Sequence, residues 1–124
     1  DDHNEPVADA VRGILDGHVV LDRRIAERGR YPAIDVLRSL SRAVPGCNGP
    51  DENELTRRAR GLLALHADMA DMVRLGAYRA GSDPAVDEAV ALAPRIEAML
   101  RQSRDDRSSI EDSFAALAAA MRLP

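Results

Sequence analysis

The sequence contains no lysine, and all 17 of its Lys and Arg residues are Arg. A phosphate-binding P-loop ends in Gly-Lys followed by Ser or Thr, and its Lys reaches the β- and γ-phosphates of a nucleotide. The chain therefore contains no P-loop and is not a self-sufficient P-loop nucleotide hydrolase. Schiff-base chemistry on Lys is excluded for the same reason.

Cysteine and aromatic residues are nearly as scarce. Cys47 is the single cysteine among 124 residues, which excludes a disulfide within the chain and a cysteine-based zinc site, and which fits a reducing, cytosolic setting. Aromatic residues make up 2% of the chain. The core must therefore come from Ala, Val, Leu, Ile and Met, a mixture that suits helices.

Long apolar runs and an excess of positive charge are also missing. No run approaches the ~18 apolar residues of a membrane-spanning helix, and no signal peptide is visible. The net charge of -4 argues against binding to nucleic acid or directly to an anionic membrane. Because the chain begins with Asp1 rather than Met, we expect it to start inside a longer protein.

No metal site is predicted. His3 lies beside two aspartates, where a frayed terminus is a better interpretation than a metal ligand. His66 falls on the apolar face of a predicted helix, which indicates a core or interface histidine. Neither the His-x-x-x-His nor the Glu-x-x-His spacing occurs.

Residues 1–45 are typical of the last part of an α/β domain. The apolar spacing predicts a helix over residues 7–15, capped by Asn4. The short apolar run His18–Leu21 predicts a buried strand, and Asp22 is placed to cap a short helix. Arginines crowd two stretches and are interpreted as salt-bridged surface, with a subunit boundary or a phosphate as the alternative: Arg23, Arg24, Arg28, Arg30, Arg57, Arg58 and Arg60.

Residues 46–124 predict a helical bundle that follows a Pro- and Gly-rich linker. A long helix over residues 51–76 is expected to begin at a capping box of Asp51 and Glu54. The fold class is therefore mainly α, with one or two short strands before the bundle.

Two further helices complete the predicted bundle. One opens at Asp83-Pro84, and Pro94 should kink it or start a new helix. The last should begin at a capping box of Ser108 and Glu111.

Four motifs follow one another between Leu15 and Arg42: Leu-Asp-Gly-His, Ala-Glu-Arg-Gly, Tyr-Pro-Ala-Ile-Asp and Ser-x-Ser-Arg. In this order and spacing they resemble the export ATPases of flagella and type III secretion systems, which are related to the catalytic subunits of rotary ATP synthases. Residues 76–84, Gly-Ala-Tyr-Arg-Ala-Gly-Ser-Asp-Pro, resemble the helical domain of that family. The likeness covers almost the whole chain.

The resemblance implies that residues 1–45 end the P-loop α/β domain of such an ATPase and that residues 46–124 are its C-terminal helical domain. The parent protein would be an ATP hydrolase that binds ATP and Mg²⁺ between the subunits of a ring, a homohexamer. Its P-loop, the Asp that supports Mg²⁺ and the Glu that activates water would lie upstream. We therefore expect this chain alone to bind no cofactor and to be inactive.

Two residues match chemical positions of the family. Arg42, in Ser-x-Ser-Arg, matches the arginine finger that acts in trans on the nucleotide of a neighbouring subunit. Tyr31, in Tyr-Pro-Ala, matches the aromatic residue that packs against adenine. The alternatives are an Arg that caps a loop and a Tyr that fills a domain junction.

The same resemblance implies the partners. They are neighbouring ATPase subunits, central stalk and stator proteins, and export substrates with their chaperones, in the cytoplasm and at the membrane only through partners. Asp68, Asp71 and Arg74 are candidate contact residues. The flagellar branch is favoured by residues 76–84. The alternatives are a virulence secretion ATPase, a rotary ATP synthase subunit, or a non-enzymatic helical interaction module.

The front of the chain lacks most of the sheet to which its strand would belong. A strand at His18–Leu21 would then have unpaired edges and an exposed apolar face. We expect residues 1–45 to be poorly ordered or to associate in isolation, while the helical domain remains folded.

Overall fold

The computed structural model describes residues 5–122. Within them the elements are α1 (Pro6–Ile14), β1 (Gly17–His18), α2 (Arg23–Glu27), β2 (Leu40–Ser41), α3 (Pro50–Arg74), α4 (Pro84–Leu100) and α5 (Ile110–Ala120). The predicted fold class is confirmed, since the chain is mainly α with two short strands ahead of a helical bundle. We call residues 5–45 the front segment and residues 46–122 the helical segment.

The core lies between α3, α4 and α5. Its centre is α4, whose inward side chains recur at helical spacing and where Leu92 and Ile96 are 0% and 1% exposed. The remaining buried members of the cluster are Ala59, Leu62, Leu63, Ala89, Ala93 and Met121. Small and branched aliphatic side chains therefore fill this interior, as the scarcity of aromatic residues predicts.

Two predicted helix starts are confirmed at the atomic level. The Asp22 carboxylate accepts a hydrogen bond from the Arg24 backbone N–H, and it caps α2. The Asp83 carboxylate accepts in the same way from the backbone N–H of Ala85 and caps α4, which begins at Pro84. In both helices the cap satisfies a backbone donor that has no partner within the helix.

Two predicted capping boxes are wrong. α3 begins at Pro50 with Gly49 as its N-cap, and no side chain caps it. Proline suits the first position because its φ is already helical and it has no N–H to satisfy. In α5 the box joins Ser109 and Asp112, one residue later than predicted. Ser108 and Ser109 carry the same side chain, so the local pattern does not distinguish the two registers.

Pro94 lies inside one continuous helix, so the prediction that it could start a new helix is wrong. Proline lacks the N–H that would bond four residues back. The residue itself is exposed, whereas its neighbours Leu92, Ala93 and Ile96 lie in the core.

The front segment contains less strand than predicted. β1 is Gly17–His18 and pairs antiparallel with β2, and Leu21 forms an isolated bridge with Ile34. Val20 is buried, but its neighbours Val19 and Leu21 are 66% and 61% exposed. The buried strand predicted at 18–21 is therefore wrong in its bounds and in its burial.

Close backbone approach explains the glycine at the start of β1. A Cβ added to Gly17 would lie 2.8 Å from the carbonyl oxygen of Leu40, closer than side chains tolerate. The helix before it is confirmed, but α1 has Glu5 at its N-cap rather than Asn4, which lies outside the described residues.

The helical segment holds the front segment by polar contacts as well as apolar ones. The guanidinium of Arg60, on α3, donates to the carbonyl oxygens of Val36 (2.6 Å) and Leu37 (2.9 Å). The side chains of Val36 and Leu37 pack against the core cluster. The turn that follows Tyr31 is thereby anchored on α3.

Candidate functional site

Tyr31 combines a fixed backbone with an exposed ring. Its carbonyl oxygen accepts a hydrogen bond of 2.8 Å from the backbone N–H of Gln102, just after α4. The residue is 60% exposed, and its peptide bond to Pro32 is cis. The ring is therefore available to a flat ligand while the main chain is tied to the helical segment.

Arg30, the residue before it, is buried. It is 6% exposed, and its Nε lies 2.6 Å from the Glu97 carboxylate on α4. The contact is an ion pair rather than an aligned hydrogen bond, because Nε has no hydrogen-bond partner among the described residues. Nη1 of the same guanidinium donates to the Pro32 carbonyl oxygen at 3.3 Å.

The interpretation of the arginine clusters as salt-bridged surface is correct for several members and wrong for Arg30. Arg24 pairs with the Asp22 carboxylate at 3.1 Å, and this hydrogen bond holds the pKa of Asp22 below its ordinary value. On the helical segment, Arg57 pairs with Glu54 in the same way. The burial of Arg30 could not be predicted, because a run of arginines in the sequence does not reveal which one turns inward.

Arg42 follows β2 and is exposed. Its Nη2 donates to the Gly13 carbonyl oxygen at 3.0 Å, and its backbone N–H donates to the Asp16 carbonyl oxygen at 2.8 Å. A cation is favourable there, because the last carbonyl groups of a helix have no partner within it and carry partial negative charge. In this conformation the side chain caps the end of α1, where the alternative interpretation expected it to cap a loop, and its role as a finger stays a prediction.

A cleft of about 560 Å³ lies between α2, the turn at residues 35–37, α3 and α4. His66 lines it from α3, half-buried, in agreement with the predicted core or interface position. Its charged lining residues are Asp22, Arg24, Arg28, Arg30, Asp35, Glu97 and Arg101. Both signs of charge are present and two pairs already form, so the cleft is not a dedicated anion site.

Neither a metal cluster nor a membrane span is found in the described part of the chain. Across residues 5–122, His, Cys, Asp and Glu side chains nowhere gather in groups of three that could hold a metal ion. None of the described helices is both long and apolar enough to cross a lipid bilayer.

Both segments match known protein families. Residues 49–119 match the family described as "T3SS EscN ATPase C-terminal domain", where T3SS is the type III secretion system. Residues 1–41 match "ATP synthase alpha/beta family, nucleotide-binding domain". The chain belongs to the type III secretion ATPase family. The resemblance seen in the four motifs is thereby confirmed.

Curated relatives of this ATPase-family chain come from both branches. It is 55% identical to the flagellum-specific ATP synthase of Caulobacter vibrioides over 117 residues, which cover 94% of this chain and 26% of the relative. It is 48% identical to the SPI-2 type 3 secretion system ATPase of Salmonella typhimurium over 106 residues, 86% of this chain and 24% of the relative. The chain thus spans about a quarter of the length of these relatives.

Solved structures agree with the fold. The assembled ATPase EscN of enteropathogenic E. coli superposes with a TM-score of 0.92 at 34% identity, over 98% of this chain and 30% of that one. EscN in complex with its central stalk EscO gives a TM-score of 0.86 at 33% identity, over 94% of this chain and 29% of that one.

Proposed function

We propose that this chain is the C-terminal part of a longer flagellar export ATPase, which we call the parent ATPase and which couples ATP hydrolysis to type III protein export. The 55% identity to the flagellum-specific ATP synthase of Caulobacter supports the flagellar branch. Replacing the matching C-terminal quarter of that relative with this chain should preserve motility. Loss of motility with normal protein levels would argue for the virulence branch instead.

The chain divides at residues 45 and 46 in this proposal. Residues 1–45 end the nucleotide-binding domain, and residues 46–124 form the helical domain. The two family matches, which end at residue 41 and begin at residue 49, support a boundary between them. The non-helical turns that precede α3 are in accord with that position.

Tyr31 is the adenine-contacting residue of this proposal, and its geometry is the observation that carries it. An exposed ring on a backbone held at 2.8 Å by Gln102 can stack on a base without first ordering its own loop. Stacking of a base on an aromatic side chain is worth about 1–3 kcal/mol. Tyr31 therefore contributes to nucleotide affinity rather than to the chemical step.

Arg42 is the arginine finger of this proposal and acts on the nucleotide of a neighbouring subunit. Its guanidinium is exposed and is held by one helix-end carbonyl group, a partner that a phosphate would replace with stronger, charge-assisted bonds. A finger of this kind typically raises the rate about 10³- to 10⁵-fold. Arg42 therefore neutralises charge that builds up on the transferring phosphoryl group.

ATP and Mg²⁺ belong to the parent ATPase rather than to this chain alone. ATP supplies the phosphoryl group that is transferred to water. The chain has no P-loop lysine, which is the residue that reaches the β- and γ-phosphates of ATP. We therefore propose that the chain alone neither binds the cofactors nor turns them over.

The partners in this proposal are the neighbouring subunits of a homohexamer, a central stalk, stator proteins, and export substrates with their chaperones, all in the cytoplasm. The solved complex of EscN with its stalk EscO supports the stalk contact. The end of α3 suits it, because Met72 and Leu75 are 45% and 78% exposed there. Asp68, Asp71 and Arg74 are exposed on the same stretch of helix.

The test uses two variants of the parent ATPase and one control. Arg42→Ala should lower kcat by about 10³-fold or more with little change in KM. Tyr31→Ala should raise KM for ATP about 5- to 100-fold with kcat retained. Arg38→Ala, which changes an exposed arginine in the turn between Tyr31 and Arg42, should change neither kcat nor KM. Full turnover by Arg42→Ala, or unchanged KM in Tyr31→Ala, contradicts the assigned role.

A non-enzymatic helical module remains the competing hypothesis for the chain. The match of residues 1–41 to a nucleotide-binding domain favours the ATPase, because a helical module that only binds partners does not require part of such a domain. Nucleotide binding by the parent ATPase that is insensitive to both variants would favour the module.

A further inference from the structure

We propose that Arg30 is a positioning residue for the nucleotide site. Through its ion pair with Glu97, the helical segment sets where Tyr31 presents its ring to adenine. The inference rests on the nucleotide role proposed for Tyr31 and deepens it, because it names the side chains by which the helical segment governs nucleotide affinity.

The burial of Arg30 is the first observation behind it. Among the described residues, Arg30 is the one charged residue that is buried, at 6% exposed. Removing a guanidinium from water is costly unless it is paired and hydrogen-bonded. An aliphatic side chain would fill the same place at lower cost, so the charge at this position points to a task beyond packing.

The contacts around Tyr31 are the second observation. The Arg30 guanidinium lies 2.6 Å from the Glu97 carboxylate on α4 and donates a hydrogen bond to the carbonyl oxygen of Pro32. Arg30 and Pro32, the two residues that flank Tyr31, are therefore joined to each other and held against α4. The carbonyl oxygen of Tyr31 accepts from Gln102, just beyond α4. One further bond, from the Arg30 backbone N–H to the Ile25 carbonyl oxygen, ties the loop to α2. A shift of the end of α4 is therefore passed to the backbone of Tyr31.

The position of Glu97 allows the pair to be broken without opening the core. Its side chain is 42% exposed, whereas the neighbouring Ile96 is 1% exposed and anchors α4 independently. Glu97→Gln keeps the shape of the side chain and removes only its charge. It is therefore the primary variant, and Arg30→Gln, which changes the buried partner, is the second.

Steady-state kinetics of the parent ATPase separate positioning from mere stability. Both variants should raise KM for ATP about 3- to 10-fold with kcat within about twofold, because adenine contacts act alike on ground and transition states. Inhibition by tripolyphosphate, which has no adenine, should not change. A purely structural role would lower the melting temperature and the active fraction and leave KM unaltered, and that result would overturn the proposal.

Glu88→Gln is the matched control. Glu88 lies nearer the start of α4 than Glu97, is 35% exposed, and forms an ion pair with Arg58 of α3 rather than with the loop that carries Tyr31. It should leave KM unchanged, and a rise equal to that of Glu97→Gln would overturn the proposal. Tyr31→Ala distinguishes the two levels of inference. If Tyr31→Ala leaves KM for ATP unchanged, the nucleotide role of Tyr31 is itself wrong. If Tyr31→Ala raises KM but Glu97→Gln and Arg30→Gln do not, only the positioning role of Arg30 is wrong.

Discussion

The front segment and the helical segment both carry apolar residues at helical spacing, yet they use them differently. In α4 the periodic residues are enclosed, and Leu92 is 0% exposed. In α1 no residue is buried, and Ile14 is 78% exposed. Periodicity makes a helix amphipathic, but burial requires a partner element on the apolar face. In the helical segment the helices cover one another's apolar faces. In the front segment the apolar face of α1 is left uncovered.

Polar contacts join the two segments beside the packing of Val36 and Leu37 on the core cluster. Arg60 reaches the carbonyl groups of residues 36–37, and Arg30 reaches Glu97. Such contacts fix orientation more than they add stability. The front segment is therefore placed by the helical segment without sharing most of its core.

Amide exchange should separate the segments most widely. We expect backbone amides of α1 to exchange roughly a thousandfold faster than those inside α4, because local opening of α1 exposes little new apolar surface. Mass spectrometry of exchanged peptides provides the measurement. Equal protection in α1 and α4 would contradict both this comparison and the expected weak order of residues 1–45.

Core truncation comes next in size. Leu92→Ala should lower the free energy of unfolding by about 3–5 kcal/mol, because it leaves a cavity in a fully packed site. Ile14→Ala should cost less than about 0.5 kcal/mol. Urea denaturation measures both, and similar losses at the two positions would show that α1 shares the core.

Loss of the hydrogen bonds between α3 and the carbonyl groups of residues 36–37 should have a smaller effect on the free energy of unfolding. Arg60→Met removes two hydrogen bonds to carbonyl groups and should cost about 1 kcal/mol in the free energy of unfolding. The control is Arg74→Met, whose ion pair with Asp71 is 75% and 79% exposed and should be worth less than about 0.5 kcal/mol. No difference between the two would mean that Arg60 does not anchor the turn.

The smallest predicted effect is the titration of Asp87, in the first turn of α4, which contacts the loop between α3 and α4. The Tyr78 hydroxyl, and then the Gly81 backbone N–H, hold the pKa of Asp87 below its ordinary value of 3.8. A lowered pKa in the folded state adds stability above the unfolded value, and that stability is lost as pH falls through the folded value. The Gly81 amide signal should therefore titrate with a midpoint below pH 3.8.

Two tyrosine variants test which group lowers the pKa of Asp87. Tyr78→Phe removes the 2.6 Å hydrogen bond from the hydroxyl to Asp87 and should raise the midpoint. Tyr31→Phe, which removes a hydroxyl elsewhere, should leave it in place. An unchanged midpoint in Tyr78→Phe would contradict the assigned cause.

Local signals in the sequence predicted much of the fold. The cap of α2 and the start of α4 were predicted because an Asp that precedes a helical pattern is a local signal for the start of a helix. The start of α5 was missed by one residue because Ser108 and Ser109 offer the same cap. The length of β1 could not be predicted, since it depends on pairing with Leu40–Ser41, some 20 residues away.

The residues of the candidate site also differ in whether the sequence could predict their part in the structure. Tyr31 and Arg42 emerged from the resemblance of their motifs, because neither has a local pattern that reveals chemistry. Arg30 was misjudged as surface, since its burial depends on Glu97 and the fold of α4. The residues proposed to contact the nucleotide were thus found by likeness, whereas the residue proposed to position one of them emerges from packing.

Mixed assembly of the parent ATPase tests the central claim most directly. One subunit carries Arg42→Ala, and the other carries a changed P-loop lysine in the upstream part. Each should be inactive alone, and a mixture should recover part of the turnover, because an intact P-loop then meets an intact Arg42 across a subunit boundary. Full turnover by the Arg42→Ala protein alone, or no recovery in a mixture shown to form mixed rings, would contradict an arginine that acts in trans.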